Sequence, residues 1–109
     1  MSDTITREDL RTAIAGGTTV VIDALPAAPY SRRHLPGALN LVIDDIDARA
    51  GEVLPDRSAA IVTYSTDEAC GRGEALAERL SALGYTDVRV YKDGIEDWVG
   101  AGLPIEKAG

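Results

Sequence analysis

The residues with the clearest potential for chemistry lie between Ser65 and Gly73, a stretch that contains the chain's single cysteine, Cys70. It follows a β-branched run and precedes leucines at helical spacing, which indicates a strand, a loop and a helix N-terminus. Backbone N–H groups at such a junction lack helical partners, and the helix dipole adds positive charge. An ordinary βα turn without a ligand is the alternative. For such a pattern the ordinary turn is the commoner case, and the candidate site is an anion-binding loop of Ser65, Thr66, Asp67, Glu68, Ala69, Cys70, Gly71 and Arg72.

Composition limits the chemistry and the partners. One cysteine and one histidine exclude an intrachain disulfide and a four-ligand Cys/His zinc site, so neither a metal nor another cofactor is expected. A net charge of −7 disfavours nucleic acid and anionic membrane as partners. The length of 109 residues suits a single domain, 1–109. A polar N-terminus and the lack of a long apolar run make a cytoplasmic location the expectation.

Strands and helices alternate along the predicted chain. Strands are expected at 18–22, at 39–42, in a central run that ends at Tyr64, and at 88–91. Helices are expected after Thr6 as far as Gly16, at 30–34, at 43–50 closed by Gly51, at 74–83 and at 95–101. The prolines between Ala24 and Pro29 predict irregular structure there. This alternation calls for a parallel sheet covered on both faces, with ligands at the carboxyl ends of its strands.

Several motifs then occur in the order and spacing of a known family. They are His34-Leu35-Pro36-Gly37-Ala38, Gly84-Tyr85 and Gly94-Ile95-Glu96-Asp97-Trp98. With them, the chain resembles a single-domain rhodanese over nearly its full length. The resemblance implies a rhodanese-like three-layer α/β fold, with a central, mainly parallel β-sheet flanked by helices.

The resemblance also implies an activity, sulfur transfer in sulfur metabolism. In active members, a cysteine at the start of the loop takes sulfane sulfur from a donor such as thiosulfate and passes the resulting persulfide on to cyanide or a thiol. The implied partners are therefore a small sulfur anion or a protein that carries a persulfide or a thiol. By this correspondence Ser65 stands at the nucleophile position and Cys70 at that of a second cysteine.

The serine decides the predicted function. A thiol supplies thiolate near neutral pH, whereas a hydroxyl has no comparable ionised fraction without a base. His34 belongs to the His-Leu-Pro-Gly element and is interpreted as a structural residue that holds the local loop in place. Asp23 is likewise interpreted as a structural residue of the site. The family's frequent Asp-x-Arg reads Asp23-Ala24-Leu25, so one cation is missing, and Arg72 is a candidate to replace it. We predict a catalytically impaired binding or regulatory module.

Three alternatives stay open. In the first, the chain is an active sulfurtransferase that uses Cys70. In the second, it is a natural cysteine enzyme trapped as an engineered serine variant at Ser65. In the third, the loop binds phosphate or arsenate, although it lacks the Cys-x5-Arg pattern of the phosphatases that share this fold. Asp67 and Glu68 either repel an anionic donor at the loop entrance or are solvated charges. We expect Cys70 to be a partly buried thiol of low reactivity, because the helix dipole and the two acids have opposing effects on its pKa.

Overall fold

The computed structural model describes residues 3–108 and contains one five-stranded sheet in which all strands run parallel, in the order β1-β5-β4-β2-β3. The strands are β1 (Asp3–Thr4), β2 (Val20–Asp23), β3 (Leu39–Asn40), β4 (Ile61–Tyr64) and β5 (Val88–Tyr91). The helices are α1 (Arg7–Gly16), α2 (Ala27–Arg32), α3 (Ile46–Val53), α4 (Arg72–Ala82) and α5 (Gly94–Gly100). A 3-10 turn, Ile43–Asp45, precedes α3. No helix in this part of the chain has the length and apolar character that a membrane span requires.

Alternate side chains of the strands belong to two apolar clusters, one on each face of the sheet. On β2, Val21 packs in a cluster with Leu10 of α1 and Trp98 of α5, whereas Ile22 packs in the other cluster. That second cluster contains residues of α3 and α4, including Leu80. Because successive side chains of a strand point to opposite faces, both faces are covered by helices. The predicted three-layer α/β fold is confirmed.

The strand that leads into the loop lies in the middle of the sheet. β4 is hydrogen-bonded between β2 and β5, and all of its residues are buried. Helix α4 returns closely over the end of this strand, since a Cβ built on Gly73 would lie 3.0 Å from the Cα of Tyr64. Thr63 reinforces the approach by donating from its hydroxyl to the carbonyl oxygen of Gly73 (2.6 Å). The loop is thus fixed at both ends by buried structure.

The start of α2 and the end of α3 differ from the predictions. The segment expected to be irregular already begins α2 at Ala27, and Pro29 lies in its first turn, where a missing backbone N–H breaks no helical hydrogen bond. The predicted turn at 30–34 is the later part of this helix and its exit. Gly51 does not close the next helix, because α3 continues to Val53 and ends immediately before Leu54 and Pro55.

Other boundaries agree or move slightly. Thr6 caps α1 by accepting a hydrogen bond from the N–H of Asp9 (3.1 Å), and Gly17 ends this helix at φ 65°. β5 has the predicted bounds, whereas β2 begins at Val20 and β3 contains only two residues. The short β1 was not predicted; it pairs with β5 at the edge of the sheet.

Candidate functional site

The loop after β4 is held from outside by the N-terminus of α5. The N–H of Ile95 donates to the carbonyl oxygen of Ser65 (2.9 Å), and the N–H of Glu96 donates to that of Thr66 (3.0 Å). Gly94 permits this contact: its φ is +69°, and an added Cβ would lie 2.5 Å from the carbonyl oxygen of Thr66. Glycine is therefore required here for both its backbone conformation and its lack of a side chain.

We expect Gly94→Ala to lower the free energy of unfolding by about 2–4 kcal/mol, because it combines an unfavourable φ with a backbone clash. Gly17→Ala is the matched control, since Gly17 has φ +65° but no atom within 4 Å of its added Cβ, and it should cost about 1–2 kcal/mol. Chemical denaturation of both variants measures the difference. Equal losses would show that the clash at the loop is relieved without cost.

The backbone N–H groups of the loop remain largely free for a ligand or a thiol. Within residues 3–108, Cys70 is the one residue of the loop from Thr66 to Gly71 whose N–H donates to a protein oxygen; it bonds to the carbonyl (3.2 Å) and to Oδ1 (3.1 Å) of Asp67. We call the remaining N–H groups of this loop and the first turn of α4 the amide cradle. Free N–H groups beside a helix N-terminus favour negative charge.

Ser65 lines an open cavity of about 180 Å³, here called the acidic cavity. The side chain is only 5% exposed, as a buried residue at the end of the central strand should be. The cavity contains three carboxylates and one ammonium group, contributed by Asp67, Glu68, Glu74 and Lys92. The approach to Ser65 is therefore negatively charged and disfavours an anionic donor.

The Cys70 thiol is partly exposed and faces the amide cradle. Its burial raises the pKa, but this effect is outweighed by the N–H groups of Arg72 and Thr66, the Ser65 hydroxyl and the Arg72 charge, so the pKa is lowered overall. Cys70 lies just before the N-cap Gly71, not in the first helical turn. The near cancellation expected from the sequence does not hold, because the side chains of Asp67 and Glu68 are exposed and the donors around the sulfur outweigh its burial.

His34 serves the fold. The side chain is buried; its Nδ1 donates to the carbonyl oxygen of Tyr30 (2.9 Å), and its ring stacks on that of Tyr30. The backbone of His34 exchanges two hydrogen bonds of 2.9 Å with Glu106, whose carboxylate lies 3.9 Å from Nε2. These contacts tie the C-terminal segment to the exit of α2. None of them turns the imidazole into a base for Ser65.

Asp23 forms a buried link beneath the loop. Its carboxylate accepts hydrogen bonds from the N–H of Leu25 (2.7 Å) and from the hydroxyl of Tyr64 (2.8 Å), which in turn accepts from the N–H of Leu35 (3.0 Å). Burial raises the pKa of Asp23, although the bonds from Leu25 and Tyr64 and the charge of His34 oppose the rise. The residue joins β2, β4 and the segment after α2.

A second cavity, of about 120 Å³, lies beside the same loop and has the opposite charge. We call it the basic cavity; its lining residues are Leu25, Pro29, Arg32, Arg33, Thr66 and Ile95. The position that lacks the family's arginine, Leu25, therefore faces two arginines of the α2 segment. Arg72, the candidate replacement, lines a different cavity with Asp44 and Asp45.

Sequence reasoning missed the charged groups that other elements bring to the site. Glu74 and Lys92 enter the acidic cavity from α4 and from the end of β5, and Arg32 and Arg33 enter the basic cavity from α2. Adjacent arginines in a chain of net charge −7 were a usable signal. No cluster of His, Cys, Asp or Glu suited to a metal ion occurs in the described range.

Comparison with known proteins finds one family. The model described as "Rhodanese-like domain" matches residues 6–101. An HTH-type transcriptional regulator of Mycobacterium tuberculosis is 31% identical over 105 residues, which cover 96% of this chain and 45% of that protein. The chain thus spans less than half the length of this relative.

Solved structures support the same fold. The BH2092 protein from Bacillus halodurans has 26% sequence identity and a TM-score of 0.88, over 97% of this chain and 77% of that one. A thiosulfate sulfurtransferase from Pseudomonas aeruginosa has 25% identity and a TM-score of 0.85, over 97% of this chain and 20% of the other.

Proposed function

Because the chain belongs to the rhodanese-like domain family, we propose that it is a member impaired in the standard thiosulfate reaction, which acts as a binding or regulatory module in sulfur metabolism. The single observation that carries this proposal is the buried hydroxyl of Ser65 at the end of the central strand, at the nucleophile position that the resemblance implies. A hydroxyl there does not store sulfane sulfur as a persulfide.

The surroundings of Ser65 support the impairment. Activation of a serine requires a base within hydrogen-bond reach, and in residues 3–108 neither ring nitrogen of the chain's one histidine, His34, bonds to Ser65: Nδ1 donates to Tyr30 and Nε2 lies beside the carboxylate of Glu106. The carboxylates that line the acidic cavity also repel a dianion such as thiosulfate. Both the chemical step and the approach of the donor are therefore unfavourable.

The amide cradle supports a binding role. Its free N–H groups are held in place by Gly94 and α5, so the cradle persists without the cysteine that uses it in active relatives. Similarity to a transcriptional regulator, although it covers under half of that protein, agrees with a regulatory use of the domain. The partner we propose is a small sulfur anion or a protein that bears a persulfide or a thiol.

A second candidate function is favoured by the lowered pKa of Cys70. In this alternative, the Cys70 thiolate attacks the terminal sulfur of a persulfide donor, R–S–SH. The donor's S–S bond breaks, its thiolate leaves, and Cys70 becomes a persulfide. The domain is then a sulfur carrier whose nucleophile has moved along the loop.

Intact mass spectrometry separates the two candidates. After incubation with thiosulfate, and separately with a persulfide donor, the binding module keeps its mass. A carrier gains one sulfur atom, which is lost on reduction and is not gained by Cys70→Ala. A gain that survives in Cys70→Ala would contradict both candidates.

We expect the acids of the acidic cavity to act on donor choice. In a Ser65→Cys background, Asp67→Asn with Glu68→Gln should lower the KM for thiosulfate by about two- to tenfold at low salt, and less at roughly 0.1 M salt, where screening acts over about 10 Å. Asparagine keeps the Oδ1 that accepts the N–H of Cys70. Glu78→Gln, an exposed acid of α4 that does not line the cavity, is the control. An unchanged KM at low salt would show that donors approach elsewhere.

A further inference from the structure

The basic cavity is lined by two arginines, Arg32 and Arg33, whose positive charges have no part in the contacts described so far. Arg32 is exposed, and no carboxylate in the described part of the chain lies within ion-pair distance of it. Arg33 is half-buried and pairs with Glu96 at the start of α5. One guanidinium is thus free and the other is held by a partner that a stronger anion can displace.

The remaining lining restricts what fits between these groups. Leu25, Pro29 and Ile95 give the cavity apolar walls, and Thr66 lines it from the loop. A volume of about 120 Å³ accommodates a small tetrahedral anion. Guanidinium groups bind planar or tetrahedral oxyanions through paired N–H donors, more specifically than an ammonium group does.

We propose that the basic cavity is a binding site for a small dianionic oxyanion of sulfur or phosphorus. Arg32 binds the anion directly, and Arg33 joins it when Glu96 is displaced. The inference rests on the proposed function, because it gives the binding module a ligand class. It also assigns opposite roles to the two sides of the loop: the acidic cavity repels anions from Ser65, whereas the basic cavity holds one beside Thr66.

Glu96 makes the proposal testable in both directions. Its carboxylate competes with an anion for Arg33 and adds negative charge at the cavity. Removal of Arg32 should therefore weaken anion binding, and removal of the Glu96 charge should strengthen it. A purely structural role for these exposed side chains does not produce opposite effects on the affinity.

The experiment is a titration of the folded chain with sodium sulfate, thiosulfate or phosphate at constant ionic strength, followed by NMR shifts of the amides of Leu25, Thr66 and Ile95. We expect saturable shifts, a Kd at least about fivefold weaker for Arg32→Gln, and a Kd about two- to fivefold tighter for Glu96→Gln. Arg32→Lys should retain part of the affinity. Arg11→Gln, which removes an equal charge on α1, should leave the Kd unchanged.

Shifts that do not saturate, or an equal loss of affinity in Arg32→Gln and Arg11→Gln, would overturn the proposal. A tighter Kd for sulfate than for phosphate would identify a sulfur oxyanion as the better ligand. A failure of the anion-site proposal is distinguishable from a failure of the proposed function. Turnover of thiosulfate by the unmodified chain would refute that function, whatever the titration gives. Thermal melting of each variant shows that it is folded.

Discussion

Ser65→Cys should raise the transfer of sulfur from thiosulfate to cyanide by at least about a hundredfold over the unmodified chain, because loss of the nucleophile usually costs several orders of magnitude in rate. The supporting structure for a thiolate at this position is already in place: the central strand, the carbonyl contacts from α5, and the amide cradle. The substitution changes one atom in a buried site of unchanged shape.

The adjacent thiol needs a control. Cys70 faces the side chain at position 65, so the variant is assayed with a reductant present and also in a Cys70→Ala background, which prevents a disulfide. Thiocyanate formation gives the rate, and intact mass gives the persulfide. Equal turnover by the unmodified chain and by Ser65→Cys would show that position 65 is not the nucleophile position.

Sequence pattern was sufficient for the architecture because every strand except the short β1, and most helices, carry local signals. The β-branched run before Ser65, the cap at Thr6 and the left-handed Gly17 are each encoded within a few residues. The errors occurred where a local rule had a positional exception. Pro29 is tolerated in the first turn of α2. Gly51 lies inside α3 because the packing of Ile46 and Ala50 in the core stabilises this helix.

The site was less predictable because its charge and its rigidity come from distant segments. Nothing near Ser65 in sequence indicates that Lys92 shares its cavity, or that α5 holds the loop through Gly94. The charge on each side of the loop depends on the approach of α2 and β5 in space. The resemblance placed Ser65 and Cys70 in the loop, but the direction of the Cys70 pKa shift depends on contacts that only the folded chain brings together.

Alkylation of Cys70 by iodoacetamide should follow an apparent pKa below that of an ordinary thiol, in contrast to the slow reaction expected from sequence. The sign follows from the thiolate form: donors and positive charge that face the sulfur stabilise it, so the rate reaches its plateau at a lower pH. Ser65→Ala and Arg72→Gln each remove one of these groups and should move the midpoint of the rate profile to higher pH.

Arg79→Gln is the matched control for that shift, because Arg79 lies on the same helix with its guanidinium bound to Asp47. The pH midpoint of its alkylation rate should equal that of the unmodified chain. A stable persulfide on Cys70, formed from a persulfide donor at the same low pH and absent in Cys70→Ala, would make the carrier the better of the two candidate functions. An ordinary thiol profile, unchanged by Ser65→Ala and Arg72→Gln, would instead show that the thiolate gains nothing from the amide cradle, and the observation that favours the carrier would be lost.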